Sequence, residues 1–79
     1  MATTVSVVED HESMRDSLTA LLAEPGLQLL ATYGTAEDAL AELPKNPPDV
    51  ALVDINLPGM NGIECVRLLK ADLPHLEVL

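Results

Sequence analysis

Four short aliphatic runs alternate with three segments of helical periodicity, and few folds accommodate that alternation. Thr4 to Val8 is rich in β-branched residues and reads as a first strand. Glu12 to Ala23 reads as a helix, because Met14, Leu18, Leu21 and Leu22 recur on one helical stripe. Ser13 with Asp16 has the spacing of a capping box, and Pro25-Gly26 stops the helix. Leu27 to Tyr33 is a second strand, broken by Gly34. Thr35 is a good cap for a helix from Ala36 to Leu43, which Pro44, Pro47 and Pro48 end. Val50 to Asp54 is a third strand. After a Pro58-Gly59 turn, Asn61 caps a helix running through Ile63, Val66, Leu69 and Leu73 to Pro74. Leu76 to Leu79 begins a fourth strand. A β-α-β-α-β-α-β order predicts an α/β fold: a parallel sheet with right-handed crossovers.

The chain of 79 residues is expected to be one small domain of marginal stability. Its core must be aliphatic, since Tyr33 is the single aromatic residue. Near-continuous aliphatic strands covered by helices suit that supply. A net charge of −9 repels nucleic-acid phosphates and anionic membranes, which argues against direct DNA binding by this segment. The lone Cys65 has no partner for an internal disulfide and reads as a buried structural thiol. With neither a leader pattern nor an apolar stretch of transmembrane length, the expected location is cytoplasmic.

Three carboxylates carry the chemistry. Glu9 and Asp10 close the first strand, and Asp54 closes the third. In open α/β sheets, ligands bind outside the carboxyl ends of the strands. Neighbouring strands would crowd the three acids into one pocket, where like charges raise one another's pKa unless a cation intervenes. Oxygen donors of this type suit a hard divalent ion such as Mg²⁺. For Glu9 taken alone, a helix-capping role is an equal alternative. His11 reads as a loop or first-turn residue, because magnesium does not favour imidazole. His75 reads as a surface residue, and Met60 as an apolar loop plug.

The run Val7-Val8-Glu9-Asp10-His11, followed by Val53-Asp54-Ile55-Asn56-Leu57-Pro58-Gly59-Met60-Asn61-Gly62, resembles the receiver domain of two-component response regulators. The likeness extends from Thr4 to Leu79. It implies a flavodoxin-like fold in which Asp54 is the phosphoacceptor, taking a phosphoryl group from a sensor histidine kinase. It also implies that Glu9, Asp10 and Asp54 bind Mg²⁺, with the backbone carbonyl of Asn56 completing the shell. A carboxylate serves as nucleophile because it is ionised at neutral pH.

The resemblance also sets out what residues 1–79 would lack. A complete receiver has five strands and five helices, so roughly 40 further residues are expected from mean element and loop lengths. The fourth helix, fifth strand and fifth helix would be absent. With them would go a Ser or Thr after the fourth strand and a Lys after the fifth. Lys45 and Lys70 sit too far from the strand carboxyl ends to replace that Lys. The exposed face and edge predict a homo-oligomer. Two readings follow. One is a phosphoacceptor serving a transcriptional response regulator; the other is a truncated receiver acting as a non-phosphorylated interaction module. An enzyme is not expected: a phosphohydrolase of the Asp-x-Asp type would need an acid where Asn56 stands.

Overall fold

The computed structural model describes residues 2–79. Four parallel strands form one sheet in the order β2-β1-β3-β4. They are β1 (Thr3–Val8), β2 (Leu27–Tyr33), β3 (Val50–Val53) and β4 (Glu77–Val78). Helices α1 (Glu12–Leu21), α2 (Ala36–Glu42) and α3 (Gly62–Asp72) make the connections. This is the expected alternation, with β1 central. The two-residue β4 is shorter than the predicted strand, although Leu79 still exchanges backbone hydrogen bonds with Ala51 and Val53. Leu30 is an extra residue in the β1–β2 register, which shifts between Val5 and Ser6.

The core lies between the sheet and α2 and α3. Val8 and Ala51 from the strands meet Ala36, Ala39, Cys65 and Leu69 from the helices, all fully buried. Small side chains on β3 and α2 allow close helix–sheet approach, and Leu43, Leu57 and Leu76 complete the cluster. Burial raises the Cys65 thiol pKa, with Glu37 adding to the effect, and a thiol of that kind is inert. Met60 packs against the same cluster, as an apolar loop plug would, and Tyr33 packs there too.

The opposite face is thinly covered. Helix α1 contributes no buried residue. Leu18 and Leu22 of its stripe are half-buried, while Met14 is 51% and Leu21 70% exposed. Between α1 and the sheet lies a cleft of about 510 Å³, lined by Val7, Leu18, Leu52 and Leu79 and opening at Glu9, His11 and Asp54.

Several helix ends differ from expectation. Helix α1 stops at Leu21 rather than Ala23, well ahead of Pro25-Gly26. Its N-cap is His11, with no side-chain cap bond, so Ser13 and Asp16 are helical residues and form no capping box. Helix α2 gives way at Leu43 to a 3₁₀ turn over Leu43–Lys45, because Pro44 is tolerated in a first turn but not in a helix interior. The Thr35 and Asn61 caps are as expected. Thr35 Oγ1 accepts the Asp38 N–H at 3.0 Å, and Asn61 Oδ1 accepts the Glu64 N–H at 3.0 Å. Among the described residues no helix is long and apolar enough to cross a membrane.

Candidate functional site

The acids gather where β1 and β3 run out side by side. Val8 pairs with Val53, and one residue on the Asp54 N–H donates to the Val8 carbonyl at 3.0 Å. That bond draws the first residue after β3 against the end of β1. Asp54 thus stands just beyond the strand rather than ending it as predicted. The Glu9 N–H donates to the Tyr33 carbonyl at 2.9 Å, which ties the same level of the sheet to β2.

Glycine 62 makes room for the phosphoacceptor candidate. A Cβ there would lie 2.0 Å from the Asp54 carbonyl oxygen and 2.7 Å from Ile55 Cα, so only glycine fits. The Gly62 N–H donates to the Ile55 carbonyl at 2.9 Å, seating the start of α3 on the β3–α3 loop. Within that loop Gly59 has φ +71°, a left-handed turn position that suits glycine. The Asn56 N–H donates to Asp54 Oδ1 at 3.1 Å and fixes the carboxylate plane.

Glu9 is the hub of the cluster. It is 6% exposed, and burial raises its pKa, with Asp54 next in effect and His11 opposing. Asp54 responds in the other direction. The Asn56 backbone N–H, then the Glu9 side chain, lower its pKa. The two neighbouring carboxylates thus move apart, Glu9 upward and Asp54 downward, each partly through the other. The negative charge of Asp10 also disfavours ionisation of Glu9, as the smallest of these effects. Glu9 thus feels both of the other acids that the sequence placed at these strand ends.

The donor set fits a cation. Ligand atoms of Glu9, Asp10 and His11 all lie within 4.8 Å of one another. Asp10 Oδ1 is shut off from solvent, and no hydrogen-bond donor meets it among the described residues. A buried, unsatisfied carboxylate oxygen beside a second acid is costly unless a positive charge satisfies it. His11 does so only in part: its Nδ1 stands 3.3 Å from Glu9 Oε1 and 3.4 Å from Asp10 Oδ1, and its ring is largely in solvent. His11 is the loop residue that precedes α1, as expected, and from there its ring reaches both acids. Lys70, by contrast, donates to the Pro74 and Leu76 carbonyls at the opposite end of the sheet, as its position on α3 predicted.

A doubly wound sheet of order 2-1-3-4 with an acid cluster at its β1/β3 switch point defines a class, and comparison with known proteins agrees. The family model of the response regulator receiver domain matches residues 5–79, and the chain belongs to that family. It is 42% identical over 76 residues to the DNA-binding transcriptional activator DevR/DosR of Mycobacterium tuberculosis, covering 95% of this chain and 35% of that protein. It is 37% identical to the response regulator GacA of Pseudomonas aeruginosa, over 95% of this chain and 36% of that one. The response regulator domain of Thermotoga maritima CheB superposes with a TM-score of 0.90 at 26% identity, covering 99% of this chain and 60% of that chain. The chain therefore spans about a third of the curated relatives it matches. As a family, receiver domains bind Mg²⁺ at such an acidic pocket and interact with histidine kinases. Those of transcriptional regulators are generally not enzymes in their own right.

Proposed function

We propose that this chain is a phosphoacceptor in two-component signalling, with Asp54 receiving a phosphoryl group from the phosphohistidine of a sensor kinase. One observation carries the reading: just beyond β3, Asp54 Oδ1 accepts the Asn56 N–H at 3.1 Å, beside the buried Glu9. An ionised, oriented carboxylate is what in-line attack requires. An Asp54 carboxylate oxygen forms the new bond to phosphorus while the phosphorus–nitrogen bond breaks. The departing imidazole keeps that electron pair. Glu9, Asp10 and Asp54, with the carbonyl of Asn56, would hold the Mg²⁺. When bound, the ion offsets the charge of the acids and of the phosphoryl oxygens. Asp10 Oδ1, which lacks a donor, is the strongest candidate for direct ligation.

The wider role follows from the relatives. The likeness to the transcriptional activator DevR/DosR and the response regulator GacA supports a place in a transcriptional response regulator, for which we propose a cytoplasmic location. On this reading residues 1–79 are the N-terminal part of a receiver, and the −9 charge keeps them off DNA. Beryllofluoride, a mimic of the phosphoryl group, tests the proposal. Uptake with Mg²⁺ that disappears in Asp54→Asn supports it, and uptake indifferent to that change refutes it.

A second reading has its own observation. Exposed Met14, Ile55, Ile63 and Leu79 line apolar clefts on either side of β3, and Leu21 of α1 is exposed as well. Apolar surface of this kind favours self-association. A dimer that forms equally with and without phosphoryl mimic would favour an interaction module.

A further inference from the structure

We propose that Arg15 is a positioning residue for the acid cluster: one guanidinium nitrogen holds the backbone of both Glu9 and Asp10 and thereby sets where their carboxylates stand. Arg15 Nη1 donates to the Glu9 carbonyl at 2.8 Å and to the Asp10 carbonyl at 3.1 Å. The proposal rests on reading those acids as the metal-binding part of a phosphoacceptor site.

Three features distinguish this from a surface arginine. Helix α1 buries no residue against the sheet, so apolar packing does little to hold its first turn at the site. Arg15 supplies that tie from one turn inside the helix, where its own N–H donates to the His11 carbonyl at 2.9 Å. Second, its charge goes to carbonyls. Among the described residues Arg15 forms no ion pair, although Glu9, Asp10, Glu12 and Asp16 all lie within six residues. An arginine acting as a counter-ion would take a carboxylate, since that pairing is the stronger bond. Third, the β2–α2 loop leaves room for it. A Cβ on Gly34 would come within 3.3 Å of Nη1. The guanidinium therefore lies between two loops at the carboxyl ends of neighbouring strands. Two donors from a rigid planar group fix a loop more firmly than one flexible ammonium does.

The sign of one measurement separates positioning from electrostatics. Removing a positive charge near acids should, by itself, tighten Mg²⁺ binding. Loosening the loop that carries two ligands should weaken it, by about tenfold if Arg15 acts like other groups that orient metal ligands. Mg²⁺ affinity is measured by calorimetry on the wild-type chain, Arg15→Gln, Arg15→Lys and Asp10→Asn, with circular dichroism reporting the fold. Weaker binding in folded Arg15→Gln is the expected result; unchanged or tighter binding overturns the proposal. If Arg15→Gln does not fold, Arg15→Lys decides, because a retained charge predicts no change while lost positioning predicts weaker binding. Unfolding of both variants would assign Arg15 to the fold and also overturn the proposal. Absence of Asp10-dependent Mg²⁺ binding in the wild type would instead overturn the reading of the site itself.

Discussion

Replacing Glu9 with glutamine should make the metal-free protein more stable at neutral pH while removing much of what Mg²⁺ adds. In the wild type the Glu9 side chain is 8% exposed and faces Asp54 and Asp10. The folded chain holds its proton to higher pH than the unfolded chain does. Between the two values the folded state binds more protons, so this group's contribution to stability falls as pH rises. Glutamine carries no charge and can donate permanently to Asp54. A hydrogen bond to an ionised acceptor contributes about 1.5–3 kcal/mol, and the cleft's opening to solvent favours the lower figure. Losing the contact with the exposed His11 offsets less than about 1 kcal/mol of that. For a domain of this size, a net 1 kcal/mol moves the melting temperature by about 4–8 °C. Thermal melts in chelator across pH should therefore show wild type and variant alike near the ordinary glutamate pKa. The variant should pull ahead by several degrees as pH rises to 8. Asp54 adds a slope of opposite sign at lower pH, common to both proteins. Adding Mg²⁺ at about 100 times its Kd should raise wild-type stability by about 2.7 kcal/mol and the variant's by less. A variant no more stable than wild type at pH 8 without metal would refute the idea that crowded carboxylates strain this site.

Other substitutions probe the scaffold. Gly62→Ala forces a Cβ onto the Asp54 carbonyl and should cost about 1–3 kcal/mol in chemical denaturation, with phosphoryl-mimic uptake reduced alongside. Leu69→Ala empties a fully buried core position and should cost about 2–5 kcal/mol by the same assay. Asn61→Ala removes the cap of α3 and should cost about 1 kcal/mol without abolishing metal binding. Light scattering at micromolar concentration should detect a dimer or larger species; a monodisperse monomer would contradict self-association through the apolar clefts.

The alternation of aliphatic runs and helical stripes was enough to place every strand and helix, because each element's period and stop signals agree with its neighbours. The bounds of β2 match the predicted Leu27 to Tyr33. The misses have local causes. Ser13 had the spacing of a cap, but the chain becomes helical at Glu12, leaving a histidine without a cap bond at the N-cap position. Pro44 ended α2 as an α-helix, yet the backbone went on as a 3₁₀ turn, a distinction that helical periodicity does not encode. The acids at residues 9, 10 and 54 were legible because strand ends on adjacent parallel strands share one edge. Arg15 was not, since its partners are backbone carbonyls, which leave no mark in side-chain patterns. The only trace is a basic residue one turn into the helix after an acid pair. Glu9 as the hub was equally hidden, because its burial depends on how β1 sits between β2 and β3.

The claim that matters most is spatial: residues at two strand ends form one cation site. Manganese, a paramagnetic substitute for magnesium, tests it directly through the broadening of backbone amide resonances in the intact chain. Broadening centred on Asp10, Asp54 and Asn56, and lost on adding excess Mg²⁺, is the expected result. Broadening spread over the acidic surface, or centred on Asp72 at the far end of α3, would contradict it.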